Sequence, residues 1–257
     1  MTSFWLSRGR LTLPLCGVAS LWMLCASGCD TADAPATPAP VRRVTTGPAG
    51  TGVVRGTVTF RGVAPEAEEV DGARCHPGCG TIRVAPVEVG TNGALRDVMV
   101  YVKDPPAVPA TAAGGPAAVL DQVNCQYSPR VLGVRVGQVL KVTSSDPTLH
   151  NVHTLSAANP GLNFGMTRPG DAREVTFARP EQFAVRCDVH PWMTATVYVL
   201  DHPFFAVTRA DGTFEIPGLP PGELEVVFSH PFLGERTRKV TVGAGVVAAD
   251  VTFEKGQ

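Results

Sequence analysis

The chain is predicted to be all-β, a sandwich followed by a smaller β unit. Three observations carry this prediction. The 257 residues include 27 Gly and 23 Pro, about a fifth of the total and more than a helical protein holds. Long helix-period hydrophobic stretches are missing. Short runs rich in Val and Thr recur instead, with turn signals between them.

The runs begin at Val53–Phe60, where Thr57 and Thr59 alternate with Val58 and Phe60. Asp97–Lys103 is a second strand, preceded by an Asn92-Gly93 hairpin signal. Residues 104–118, rich in Pro, Ala and Gly, read as a surface loop. Val131–Val136, Val139–Ser144, Leu149–Leu155, Arg173–Phe177, Gln182–Cys187 and Thr194–Leu200 follow at roughly even spacing, as in a sandwich or barrel. Phe205–Ile216 is expected to be a hairpin through Asp211-Gly212. Glu223–Ser229, Arg238–Val242 and Val246–Phe253 then alternate again.

The N-terminus reads as an export signal. Arg8 and Arg10 precede an apolar run, Leu11–Leu24, that is short for a spanning helix. Ala26-Ser27-Gly28-Cys29 reads as a lipobox, which makes Cys29 the expected lipidation site and residues 1–28 the signal peptide. Residues 29–50 form a Pro/Ala/Thr-rich tether. The protein is thus expected to be exported and held to a membrane, facing the periplasm or the cell exterior. Net charge is −1 with no large charged block, so nothing favours nucleic acid.

The chemistry concentrates in Cys187-Asp-Val-His190-Pro-Trp-Met193. A thiolate at a strand end, with an imidazole and a thioether on the next loop, can converge on one soft ion. A second imidazole is expected from His150, in His150-Asn-Val-His153, on a separate strand. Two His and one Cys with a weak axial Met make a blue-copper arrangement. His153, three residues from His150, faces the other side of a strand and is not counted as a ligand.

These motifs resemble the cupredoxins, and the Cys-x2-His-x2-Met spacing is that of their amicyanin-like branch. The resemblance implies a Greek-key β-sandwich over residues 51–202 holding one copper ion, with His150, Cys187, His190 and Met193 as ligands. It implies that Asn151 hydrogen-bonds the cysteine sulfur, and that Pro191 and Trp192 form a docking rim around an exposed edge of His190. HNVH, CDVHPWM, VLDHPFFAVT, DGTFEI and GLPPG together resemble bacterial lipoproteins that join a cupredoxin to a carboxypeptidase-regulatory-like, or transthyretin-like, module. That antiparallel module is placed at 203–257, with the option that it shares strands from 53–103.

The other cysteines read as a disulfide framework. Cys75 and Cys79, in Cys75-His-Pro-Gly-Cys79, supply too few ligands for a closed zinc site. Cys125 is expected to pair with one of them. The functional expectation is one-electron transfer to an unnamed redox partner, with no enzymatic activity. Copper storage, delivery or sensing is the first alternative. A surface β module without metal is the second.

Overall fold

The computed structural model describes residues 50–106 and 115–254. The expected signal peptide, Cys29 and nearly all of the tether lie outside them. Among the described residues the regular structure is β-strand, with three single-turn 3-10 segments. This is the predicted all-β class.

Residues 118–200 form one sandwich. Its first sheet runs, edge to edge, Asn163–Met166, His150–Thr154, Glu181–Arg186, Thr194–Leu200 and Val131–Arg135. Its second runs Ala172–Val175, Leu140–Ser144, Ala118–Val123 and Gln126–Ser128. Leu120, Val134, Val142, Val152, Phe183, Val185 and Val197 fill the space between. The period of two explains the choice: Phe183, Val185 and Cys187 point inward while Ala184 and Arg186 do not. The resulting architecture is a cupredoxin-like β-sandwich.

The second core joins chain segments from both sides of this sandwich. Gly52–Arg61 pairs with Thr213–Leu219 in antiparallel fashion, and with Gly245–Ala248 and Val251–Glu254 in parallel. Met99–Lys103 lies between Phe205–Val207 and Gly222–His230, with Gly234–Val242 beyond. Val54, Val58, Val100, Ile216, Phe228 and Phe253 close the core. A division at residue 202 therefore does not follow the sheets. The early strands sit with the C-terminal ones, as the sequence left open.

The turns are mostly where their residues require. Asn92 and Gly93 have φ of 58° and 77°, and Gly90 and Ala94 pair across them. Asp211-Gly212 does turn, but its arms part. Phe205–Val207 joins one sheet and Thr213–Leu219 another. The expected hairpin is thus a crossover, because each arm has a longer partner elsewhere to bury against.

The two sandwiches pack directly. Met99, Val131 and Tyr198 are buried between them, and the Tyr198 hydroxyl donates to Ser229 Oγ at 3.0 Å. A Cβ at Gly133 would fall 2.4 Å from the Phe205 ring, so any larger residue there must displace that ring. A short hairpin, Glu68–Asp71 with Thr81–Val84, reaches from the second unit to the first. Cys79 at its tip is bonded to Cys125.

Two stability predictions follow from these contacts. The Cys79–Cys125 bridge spans 46 residues, so its reduction should remove about 4 kcal/mol of stability through loop-closure entropy. Urea unfolding of the metal-free protein, with and without reductant, measures this. A loss under about 1 kcal/mol would mean the hairpin holds itself in place without the bond.

The second concerns acid. Burial, helped by Arg130, holds His230 down to about 4, and its Nδ1 accepts from the amides of Phe232 and Leu233. Burial lowers His202 as well. The unfolded chain protonates first, near the ordinary value of about 6.5. Stability present above that pH is therefore lost as pH falls toward about 4, at up to about 1.4 kcal/mol per pH unit for His230. Metal-free His230→Gln should show a shallower decline; an identical one would contradict this origin.

Candidate metal centre

The site forms where three pieces of the first sandwich meet. His150 opens the strand His150–Thr154, pointing inward with Val152. Cys187 follows the strand Glu181–Arg186 on the face of Phe183 and Val185. His190 and Met193 lie on the loop to Thr194–Leu200. That loop is closed by Met193 N–H to His190 O at 2.9 Å and Cys187 N–H to Met193 O at 3.2 Å.

All four side chains are buried: His150 and His190 at 0%, Met193 at 1% and Cys187 at 2% exposure. His150 Nδ1 faces His190 Nδ1 at 3.0 Å, and Cys187 Sγ is 3.7 Å from His190 Nδ1. One donor atom from each of His150, Cys187 and His190 falls within 4.8 Å of the others. These spacings suit one ion about 2.0 Å from nitrogen and about 2.3 Å from sulfur. The donors are soft or borderline, which excludes the hard cations and fits copper.

The protonation pattern agrees. Asp146 Oδ2 accepts from His150 Nε2 at 2.8 Å, which fixes that proton and leaves Nδ1 with a free lone pair. Burial holds His190 below the ordinary histidine value. The His150 and His76 rings lower it further, against a pull from Asp146. The ring is a neutral donor at pH 7.

The surrounding residues fix these positions. The backbone amide of Asn151 donates to Cys187 Sγ at 3.4 Å. Its side-chain amide instead bonds Asp188 Oδ2 at 3.2 Å and the Asn163 side chain, tying the strand to the loop. Tyr127 donates its hydroxyl to the carbonyls of Asn151 and Arg186, one on each strand. Burial, together with Cys187, raises Tyr127 well above the ordinary phenol value, so it stays a donor. His153 lies on the other face, against Asp188 at 3.0 Å, and is not in the donor cluster.

One expectation needs correction. The His190 edge is not exposed within a rim. Its Nε2 sits 3.8 Å from Cys79 Sγ, beneath the hairpin that carries that residue. Trp192 packs inward: its ring lies 5.2 Å from that of His190, and Nε1 donates to Cys125 O at 2.9 Å. Pro191 alone remains exposed. Cys79 pairs with Cys125, while Cys75 is free and exposed.

Solved cupredoxins are the structural neighbours. A tryptophan-to-tyrosine variant of amicyanin aligns at 26% identity, over 34% of this chain and 89% of its own, with a TM-score of 0.30. A purple cupredoxin from Nitrosopumilus maritimus aligns at 24% identity over 32% of this chain and 98% of its own (TM-score 0.27). A copper-containing nitrite reductase from Thermus scotoductus aligns at 21% identity over 38% of this chain (TM-score 0.32), and only 26% of that enzyme is covered. No family model and no curated protein matches the chain.

Asp146 is the residue that the sequence did not single out. It reads there as part of an Asp-Pro turn. In the fold it accepts from His150 and from the amides of Asn124 and Cys125, each at 2.8 Å. Asp146→Ala should therefore weaken metal affinity about 10- to 100-fold. Competition against a chelator reads this, with circular dichroism confirming the fold. Unchanged affinity would remove Asp146 from the site's support.

Proposed function

We propose that the protein binds one copper ion through His150, Cys187, His190 and Met193 and passes single electrons. The observation that carries this is the buried Cys187–His150–His190 cluster, whose donor atoms lie within 4.8 Å of one another. Copper held there would alternate between Cu(II) and Cu(I). The chain's own part is to exclude water, hold the thiolate under the Asn151 amide and keep the His150 ring oriented through Asp146.

Burial also weighs between the alternatives. A protein that delivers or stores copper needs ligands that release it. Here every proposed ligand is at most 2% exposed, and His190 lies under a disulfide-anchored hairpin. That favours a resident ion over a transferable one. No enzymatic step is assigned. Export remains part of the proposal, because a disulfide suits an oxidising compartment, and the lipid anchor at Cys29 rests on the lipobox alone.

Cu(II) titration of the metal-free protein tests the reading by visible absorption. An intense thiolate-to-copper band that saturates at one ion and vanishes in Cys187→Ser is the expected result. A folded wild-type protein that stays colourless would overturn it.

A further inference from the structure

His190 stands between two sulfur-bearing groups. Its Nδ1 faces Cys187 Sγ at 3.7 Å and His150 Nδ1 at 3.0 Å. Its Nε2 faces Cys79 Sγ at 3.8 Å on the other side. Cys79, Cys125 and His190 form a second group of buried donor atoms, all within 4.8 Å of one another. The inner group holds a thiol ready for an ion. The outer group has its two sulfurs closed as a disulfide.

We propose that reduction of the Cys79–Cys125 bond opens a second soft-metal site, made of those two thiolates and His190 Nε2, suited to copper(I). Bonds of about 2.3 Å to sulfur and about 2.0 Å to nitrogen place the two ligand atoms about 3.7 Å apart around a three-coordinate ion. The Sγ–Nε2 distance of 3.8 Å is already close to that. Two thiolates and one imidazole are too few to close a tetrahedral zinc site, so zinc or cadmium held there takes water as its fourth ligand. The three donors match a soft, three-coordinate cation.

The chemistry balances with a small thiol as reductant. Two thiol molecules become one disulfide, and each of Cys79 and Cys125 gains a hydrogen. The ion then displaces one proton from each cysteine. With the inner site empty, His190 Nδ1 keeps the proton and donates it to His150 Nδ1, which leaves the Nε2 lone pair free to coordinate. With the inner site filled, Nε2 must release its proton as well, so the two sites share one imidazolate. The coupling rests on His190 being an inner ligand, as proposed above. The outer donor set does not.

The test uses the full-length chain with Cys16, Cys25, Cys29, Cys75 and Cys187 replaced by Ser. Only Cys79 and Cys125 then remain, and the inner thiolate is gone, so failure of the inner copper reading does not affect the result. Cadmium(II) is added before and after reduction and removal of the reductant. The expected result is a thiolate-to-cadmium ultraviolet band at one equivalent, seen only after reduction. It disappears with Cys125→Ser, and His190→Gln weakens the affinity by about tenfold or more. No band from the reduced, folded protein overturns the proposal, as does a band indifferent to His190→Gln. If reduction loosens the fold, cadmium should restore the dispersed NMR spectrum, since an ion bound only by the native state favours it. A reduced chain that neither binds nor refolds also overturns it.

Discussion

The Asp146 carboxylate ties the turn that ends the Ala118–Val123 strand to the ring of His150. It accepts from His150 Nε2 on one side and from two successive amides, Asn124 and Cys125, on the other. Those two residues have φ of 54° and 53°, the left-handed pair that a two-residue hairpin turn demands. Both amides point the same way, toward an acceptor. A buried carboxylate without such donors would cost several kcal/mol. With them, it fixes the turn and the metal-facing ring at once. The turn presents Cys125 to Cys79, and Cys125 O receives the Trp192 indole. The cover over His190 thus depends on the same carboxylate as the orientation of His150.

What the sequence revealed divides along a physical line. Cys187, His190 and Met193 fall within one strand end and its loop, so spacing alone brings them together. His150 needed a second motif and a strand to place it. Residues that act through long-range contact were not legible. Cys79 touches His190 across 111 positions, and nothing local marks that meeting. Asp146 looks like an ordinary turn residue until the Asn124-Cys125 turn arrives beside it. The strand alternation of Val53–Phe60 was plain, but its partners lie near the other end of the chain. Thr57 N–H donates to Asp250 across 193 positions. Period-two patterning tells a strand which face to bury, and says nothing of which strand lies alongside.

The two sandwiches also explain why the site can be rigid without rigid loops. The outer face of the first sheet is packed against the second unit along its Val131–Arg135 and Thr194–Leu200 strands, through Val131, Tyr198 and Met99. The inner face carries the core that contains Cys187 and Met193. Those two strands, packed on both faces, have little room to shift, because displaced side chains meet close neighbours. The ligands inherit that stiffness through Asn151, Tyr127 and Asp188, which tie the ligand strands to each other and to the loop. Under the proposed function, a fixed donor set would limit how far atoms must move on each electron transfer.

The cover changes how such a centre can be reached. A docked partner would meet His190 directly only if the ring edge lay open. Here that edge ends on the disulfide, and the Trp192 ring lies beside it. Trp192 is half-buried and borders an open cleft of about 300 Å3, shared with Arg83, Arg96 and Arg130. Under the proposed function, the way from His190 to solvent leads through Trp192 or through the sulfur pair. The indole is further placed by its bond to Cys125 O, so reduction of the disulfide would disturb both exits together. Under the two proposals, that one covalent bond would set the shielding of the ion, the placement of the neighbouring aromatic ring and the availability of a second donor set.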